Sequence, residues 1–198
     1  MSNRGFTLIE MLVSVAIFSV VMVVALGALL SLSEANRRAE LLSQATNNFN
    51  SSIDSMARAI RTGSQYHCGT GTLTAVQDCA STHGTQFAFL PSGATLSSQV
   101  VVYKYNSGAG CPNSVAGCIL RSQNGGSTFS AITSPDIIIT SLKFYVIGAP
   151  QGVQTIGSQS LSVQPKVEIL IGGYVTVKGG VTSSFNVQTS VTQRLYDL

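Results

Sequence analysis

Residues 11–32 are apolar apart from Ser14, Ser19 and Ser31, and between residues 6 and 32 the single charge is Glu10. About 22 residues at 1.5 Å each reach across the ~30 Å hydrocarbon core of a bilayer. A buried core helix of a soluble protein is the competing reading, and an unbroken run of this length near the start of the chain fits a membrane span better. A secretory signal has a shorter apolar region and a small-residue cleavage site after it. Here the run passes instead into helix-forming sequence without a break.

The rest of the chain differs in character. Charged residues are 10% of the 198 and hydrophobic ones 44%, against about 25% charged in an ordinary soluble domain. A disordered chain needs the opposite balance. The net charge of +3, spread along the chain, argues against nucleic-acid binding, which requires a basic patch able to neutralise several phosphates. The length allows one domain, either plain or with an appendage.

Residues 33–62 contain neither Pro nor Gly. Ala35, Ala39, Leu42, Thr46, Phe49, Ile53, Met56 and Ile60 recur at steps of four and three, a helical stripe of period near 3.5. Arg37, Arg38, Glu40, Asp54 and Arg58 lie between them. Thr62-Gly63 supplies a stop, and Arg58 and Arg61 suit the negative end of the helix dipole. One helix is therefore predicted over about residues 6–62, roughly 85 Å long. The stripe reads either as a parallel coiled coil or as the face that packs on the chain's own C-terminal domain. Ala, Thr and Phe make an uneven seam, which favours the second.

Beyond residue 63, Gly, Ser and Thr become common and β-branched residues alternate. Strands are predicted at residues 86–90, 99–105, 117–122, 128–132, 136–147, 166–171 and 183–195. Turns are expected at residues 107–110, 124–126 and 178–180, and a long loop without period at residues 148–165. In the last strand Phe185, Val187, Thr189, Val191 and Gln193 face one way, and Asn186, Gln188, Ser190 and Thr192 the other. This describes an antiparallel sheet with one wet face, its other face covered by the amphipathic half of the helix. The expected fold is α+β: a long N-terminal helix on a C-terminal antiparallel sheet domain.

Glu10 is the anomaly of the apolar segment. A carboxylate at the centre of a membrane helix costs roughly 2.5–3.5 kcal/mol on insertion scales, and less near the interface. It either snorkels to the membrane surface or meets a partner. If the chain were cut before Phe6, the new α-amino group of one subunit could pair with the glutamate of its neighbour. A buried charge is tolerable when paired and costly when not, so Glu10 would set the register of helices stacked side by side.

The string Arg4-Gly5-Phe6-Thr7-Leu8-Ile9-Glu10 followed by the apolar run resembles the type IV prepilin signal of type IV pilins and type II secretion pseudopilins. The resemblance covers residues 1–32, and the long helix followed by antiparallel strands agrees with it in architecture. It implies a leader, residues 1–5, removed by prepilin peptidase between Gly5 and Phe6, then N-methylation of Phe6. It also makes Glu10 the assembly glutamate. The chain would divide into a leader (1–5), a transmembrane and assembly half-helix (6–32), an amphipathic half-helix (33–62) and an extracytoplasmic β-sheet domain (63–198). Many major pilins carry Pro where this chain has Gly27. Gly27 can loosen the helix in a similar way, since Gly costs about 1 kcal/mol in a helix interior, or it can serve close helix packing. The segment from Phe185 to Arg194 looks like the closing strand of minor pilins and the larger minor pseudopilins. The partners implied are prepilin peptidase, other pilin or pseudopilin subunits, membrane lipid and, indirectly, an assembly platform protein and ATPase. The implied location is the cytoplasmic membrane, single-pass, then the fibre.

Cys68, Cys79, Cys111 and Cys118 all lie beyond the span. With Arg4 on the cytoplasmic side they face an oxidising compartment. The two close pairs suggest Cys68–Cys79 and Cys111–Cys118, although four cysteines allow three pairings. A zinc set of His67, Cys68, Cys79 and His83 is the alternative, without the tight Cys-x2–4-Cys knuckle. Asp136 offers one ligand toward calcium, which wants several oxygens. No cofactor is expected. There is no Gly-x-Ser-x-Gly elbow, phosphate loop or carboxylate pair, and Ile171-Gly172-Gly173-Tyr174 reads as a turn or bulge. The expected function is thus structural, with a minor or priming subunit favoured. The alternatives are a DNA-uptake pilin and a single-span anchored binding module.

Overall fold

A computed structural model of the chain describes residues 5–71, 73, 75–112, 116–150, 153–156, 159–162, 164–177 and 181–194. The expected leader residues 1–4, the turn at 178–180 and Leu195 lie outside them. The chain divides into two compact units, residues 1–43 and 44–198, and helix α1 (Leu8–Arg61) contributes to both.

In the first unit α1 begins at Leu8 rather than at Phe6. The hydroxyl of Thr7 accepts a hydrogen bond from the Glu10 N–H at 3.4 Å, and the Thr7 carbonyl accepts from the N–H groups of Glu10 and Met11. Thr7 therefore caps the helix, since its oxygen meets a donor that has no partner inside the first turn. Ala35 and Ala39, at the head of the expected stripe, are exposed here.

In the second unit the buried positions of α1 are Ala45, Phe49, Ile53, Met56 and Ile60. Ala45 takes the place expected of Thr46, which is exposed. The helix stops where Gly63 donates to the Ile60 carbonyl at 2.9 Å. The buried Tyr66 hydroxyl donates to the same carbonyl at 2.6 Å, and burial pushes that hydroxyl far above its ordinary range, so it remains a donor. Gly63 is dictated by packing, because a Cβ there would meet the Phe89 ring at 2.3 Å.

Among the described residues ten strands follow in chain order: β1 (Ser64–Cys68), β2 (Gln86–Leu90), β3 (Val101–Asn106), β4 (Cys118–Ser122), β5 (Ser130–Ala131), β6 (Ile137–Ile147), β7 (Val153–Ile156), β8 (Gln159–Ser162), β9 (Lys166–Val177) and β10 (Val181–Thr192). They make three antiparallel sheets, ordered β1-β2-β3-β4-β5, β10-β9-β6 and β7-β8. The α+β arrangement of a long helix and antiparallel sheets is as expected, but in more than one sheet. Three local expectations change. β1 was not predicted, and it needs an irregular register and Gln65 at φ 53°. The expected loop at 148–165 contains the β7–β8 hairpin. β9 runs through Gly172 and Gly173, and the bulge appears in the facing strand, between Ile139 and Ser141 of β6.

The core lies where the two larger sheets meet. Phe87 and Phe89 of β2 stack at 5.7 Å, Phe87 stacks on Phe144 of β6 at 5.4 Å, and Tyr66 stands edge-on to Phe87 at 5.4 Å. Such pairs add about 0.5–1.5 kcal/mol each beyond their burial. The other face of β2 and β3 is covered too, by Leu73, Ala94 and Phe129 packing on Ala88, Leu90, Val100 and Val102. The single wet face is thus a property of β10-β9-β6, where Asn186, Gln188, Ser190 and Thr192 are exposed and Val191 and Gln193 buried. Phe49 of α1 meets Phe185 of β10 at 4.6 Å, and Arg194 donates to the Arg61 carbonyl at 2.7 Å.

Residues 75–84 tie the sheets together. Cys79 donates its N–H to Val146, and Gly84 exchanges two hydrogen bonds with Phe144. The Asp78 carboxylate accepts from the N–H groups of Gly148 and Ala149 at 3.1 and 2.7 Å. The structure joins Cys68 to Cys79 and Cys111 to Cys118, with Cα atoms 5.8 and 5.6 Å apart.

Candidate functional site

The candidate site is the N-terminal end of α1. Gly5, Phe6 and Thr7 precede the first helical residue. The Gly5–Phe6 peptide bond therefore lies outside the helix. Sequence reasoning had singled out Gly5, Phe6 and Glu10 and passed over Thr7. The signal was present, because Thr7-x-x-Glu10 has the spacing of a capping box.

Glu10 stands in the first turn, where a carboxylate is favoured by the helix dipole. Its carboxylate has no ion-pair partner among the described residues, whose ion pairs are Arg38–Glu34 and Lys166–Glu168. Phe6 and Glu10 lie close along the chain, yet the structure draws no bond between them.

The segment that follows is exposed in the isolated chain, with Leu8 at 80% and Val23 at 71%. Among the described residues α1 is the helix long and apolar enough to cross a membrane. The hydroxyls of Ser14 and Ser19 donate to the carbonyls of Met11 and Val15 at 2.9 and 2.8 Å, so these two side chains are satisfied within the helix and can enter lipid or meet similar helices. α1 passes through Gly27 as helix, and a Cβ there would have nothing within 4 Å.

The family of the prokaryotic N-terminal methylation motif matches residues 1–26. The chain carries a type IV prepilin-type signal. No curated protein and no solved structure matches the chain. The prepilin-type signal contains Gly5, Phe6, Thr7 and Glu10, the same residues whose geometry stands out here. Together with the apolar helix, it fits a membrane-anchored, single-pass protein of the pilin and pseudopilin class, processed by prepilin peptidase and assembled with other pilin subunits.

The remaining candidates sit elsewhere in the second unit. Cys68 and Cys79 are bonded to each other, so neither is a free thiolate for zinc. His67 is buried with Nδ1 2.7 Å from the Ala75 carbonyl, and His83 lies 6.1 Å from the Tyr145 ring. Asp136 accepts from the Ser134 hydroxyl at 3.4 Å. No group of three or more His, Cys, Asp and Glu side chains comes together among the described residues.

Proposed function

We propose that the chain is a structural subunit, in a minor or priming role, of a type IV pilus or type II secretion pseudopilus. The observation that carries this reading is the Glu10 carboxylate, without an ion-pair partner among the described residues, at the capped start of an exposed apolar helix. In the proposed mechanism, the basic leader and the apolar helix set a single span with the sheet domain outside. Prepilin peptidase cuts between Gly5 and Phe6, and the new amine is methylated. That amine sits at the positive end of the helix dipole, an unfavourable place for a cation. The Glu10 carboxylate of a neighbouring subunit offsets this by pairing with it inside the bilayer. The assembly platform and its ATPase then lift subunits into a fibre with the apolar helices at its centre. The chain's role is structural, not enzymatic.

The test is the N-terminal mass of the protein from native membranes. A chain starting at Phe6 and heavier by one methyl group, about 14 Da, is expected. An intact leader in cells that possess the peptidase would sink this reading in favour of an anchored binding module. Loss of DNA uptake with pili and secretion intact, in a strain lacking the protein, would favour an uptake pilin instead.

Gly27 is proposed as the point where the helix loosens during assembly. Gly27→Ala should strengthen the helix by about 1 kcal/mol without a clash inside the subunit. Fewer fibres at unchanged processing is the expected result, and unchanged fibre yield would remove the role.

A further inference from the structure

An open strand edge invites pairing with another chain, and the second unit covers most of its edges. The outer edge of β1 is met by Gln77, which donates to Tyr66 and accepts from Cys68. That of β6 is met by Gly117, Cys79 and Gly84. β5 has only two residues.

β10 is the exception. It closes the order β10-β9-β6, pairs with β9 over twelve residues without a bulge, and contains neither a charge nor a proline. Among the described residues, no backbone group of 181–192 bonds to any element other than β9. Phe185, Val187 and Thr189 on its inner side are only half-buried. Among the described residues the usual guards of an edge, namely lysine, proline, a bulge or a loop bonded to its backbone, are missing from it.

The same chain holds a strand pair that lacks a sheet. β7 and β8 pair with each other and, among the described residues, with no other strand. They continue the β6–β9 pair beyond its last register, Ile147 opposite Lys166. Residues 153–162 contain no charge. A lone two-stranded hairpin is marginal in water.

We propose that the β7–β8 arm of one copy adds to the β10 edge of the next copy. Matched neutrality allows the contact, since neither side brings a charge that the other must desolvate. Length allows it too: a four-residue strand spans about 13 Å and β10 about 40 Å. The two surfaces differ, so the contact is head-to-tail. The arm and the edge both lie outside the membrane helix, so this contact is additional to the Glu10 pairing proposed above and independent of it.

The test uses the full chain in detergent, without assembly machinery. No free cysteine competes, since all four native cysteines are paired. Copies carrying Thr155→Cys in β7 are mixed with differently tagged copies carrying Ser190→Cys in β10, and a short bismaleimide is added. Mixed dimers are expected to exceed same-type dimers by at least about tenfold, and Gln188→Lys in the β10 copy should reverse that excess while the uncharged Gln188→Thr keeps it. Predominant linking between two Ser190→Cys copies would mean edge-to-edge pairing and would overturn the proposal, as would no mixed linking. Fibres that form in cells without the mixed link sink this contact alone. A link in detergent from a chain that never enters fibres in cells upholds the contact and sinks the fibre reading.

Discussion

Glu10→Ala is expected to leave removal of the leader intact and to abolish fibre assembly. The substitution leaves Thr7 in place, and it is the Thr7 oxygens, not the Glu10 carboxylate, that hold the start of α1. The start of the helix should therefore still form, and the peptidase should still find its substrate. What is lost is the partner of the neighbour's terminal amine. Breaking a buried pair by removing one partner costs about 3–5 kcal/mol, which is between about 10²- and 10³-fold or more in the pairing equilibrium. That penalty falls wherever this chain joins a neighbour, which for a priming subunit is the step on which the fibre depends. The measurement is twofold: the N-terminal mass of the variant, and the yield of sheared fibres against wild type. Wild-type fibre yield would show that Glu10 only snorkels to the membrane surface.

The second large effect belongs to the sheet domain. Gly117 has φ 99°, and a Cβ there would lie 1.8 Å from the Ile139 carbonyl oxygen and 3.4 Å from the Tyr105 hydroxyl. The carbonyl is backbone within β6, so it cannot swing aside. Gly117 also accepts the Ile139 N–H at 3.0 Å and directly precedes Cys118 of the second disulfide. Gly117→Ala must therefore separate β6 from the start of β4, on top of the conformational strain. We expect a loss of about 3–5 kcal/mol, at the large end for a single substitution, and a melting temperature lower by roughly 6–20 °C for a domain of this size. Gly93→Ala is the control. Gly93 also has a positive φ, of 79°, but open space around it, so it should report the strain alone, about 1 kcal/mol. Equal melting temperatures for the two variants would show that close approach to β6 is not what demands glycine at 117.

Apart from such clashes, much of this architecture was legible in advance, and where reading failed the reasons are physical. The stripe on α1 was read with a period near 3.5, which belongs to helices that supercoil around one another. The buried positions, from Ala45 to Ile60, are spaced by four, four, three and four. That spacing lies nearer the 3.6 of a straight α-helix than the 3.5 of a supercoiled one, and it exchanges Thr46 for Ala45. β1 offers only Tyr66 and Cys68 as apolar positions among Ser, Gln and His, too short and too polar a run to show a period. It is a strand because β2 and Gln77 pair with it and a disulfide holds its end. The β7–β8 hairpin was invisible for the same reason, being made mainly of Gln, Ser and Thr.

The sequence alone determined the membrane-length apolar helix, the leader string with its lone glutamate, and the alternation of β10. Each is encoded within one contiguous segment, where hydrophobicity and spacing act locally. Tertiary structure alone decided that the strands form separate sheets, that residues 75–84 join the two larger ones, and that Gly117 and Gly63 must lack a side chain. It also decided which strand edge is left open. These depend on atoms brought together from distant parts of the chain, and no local pattern records such contacts.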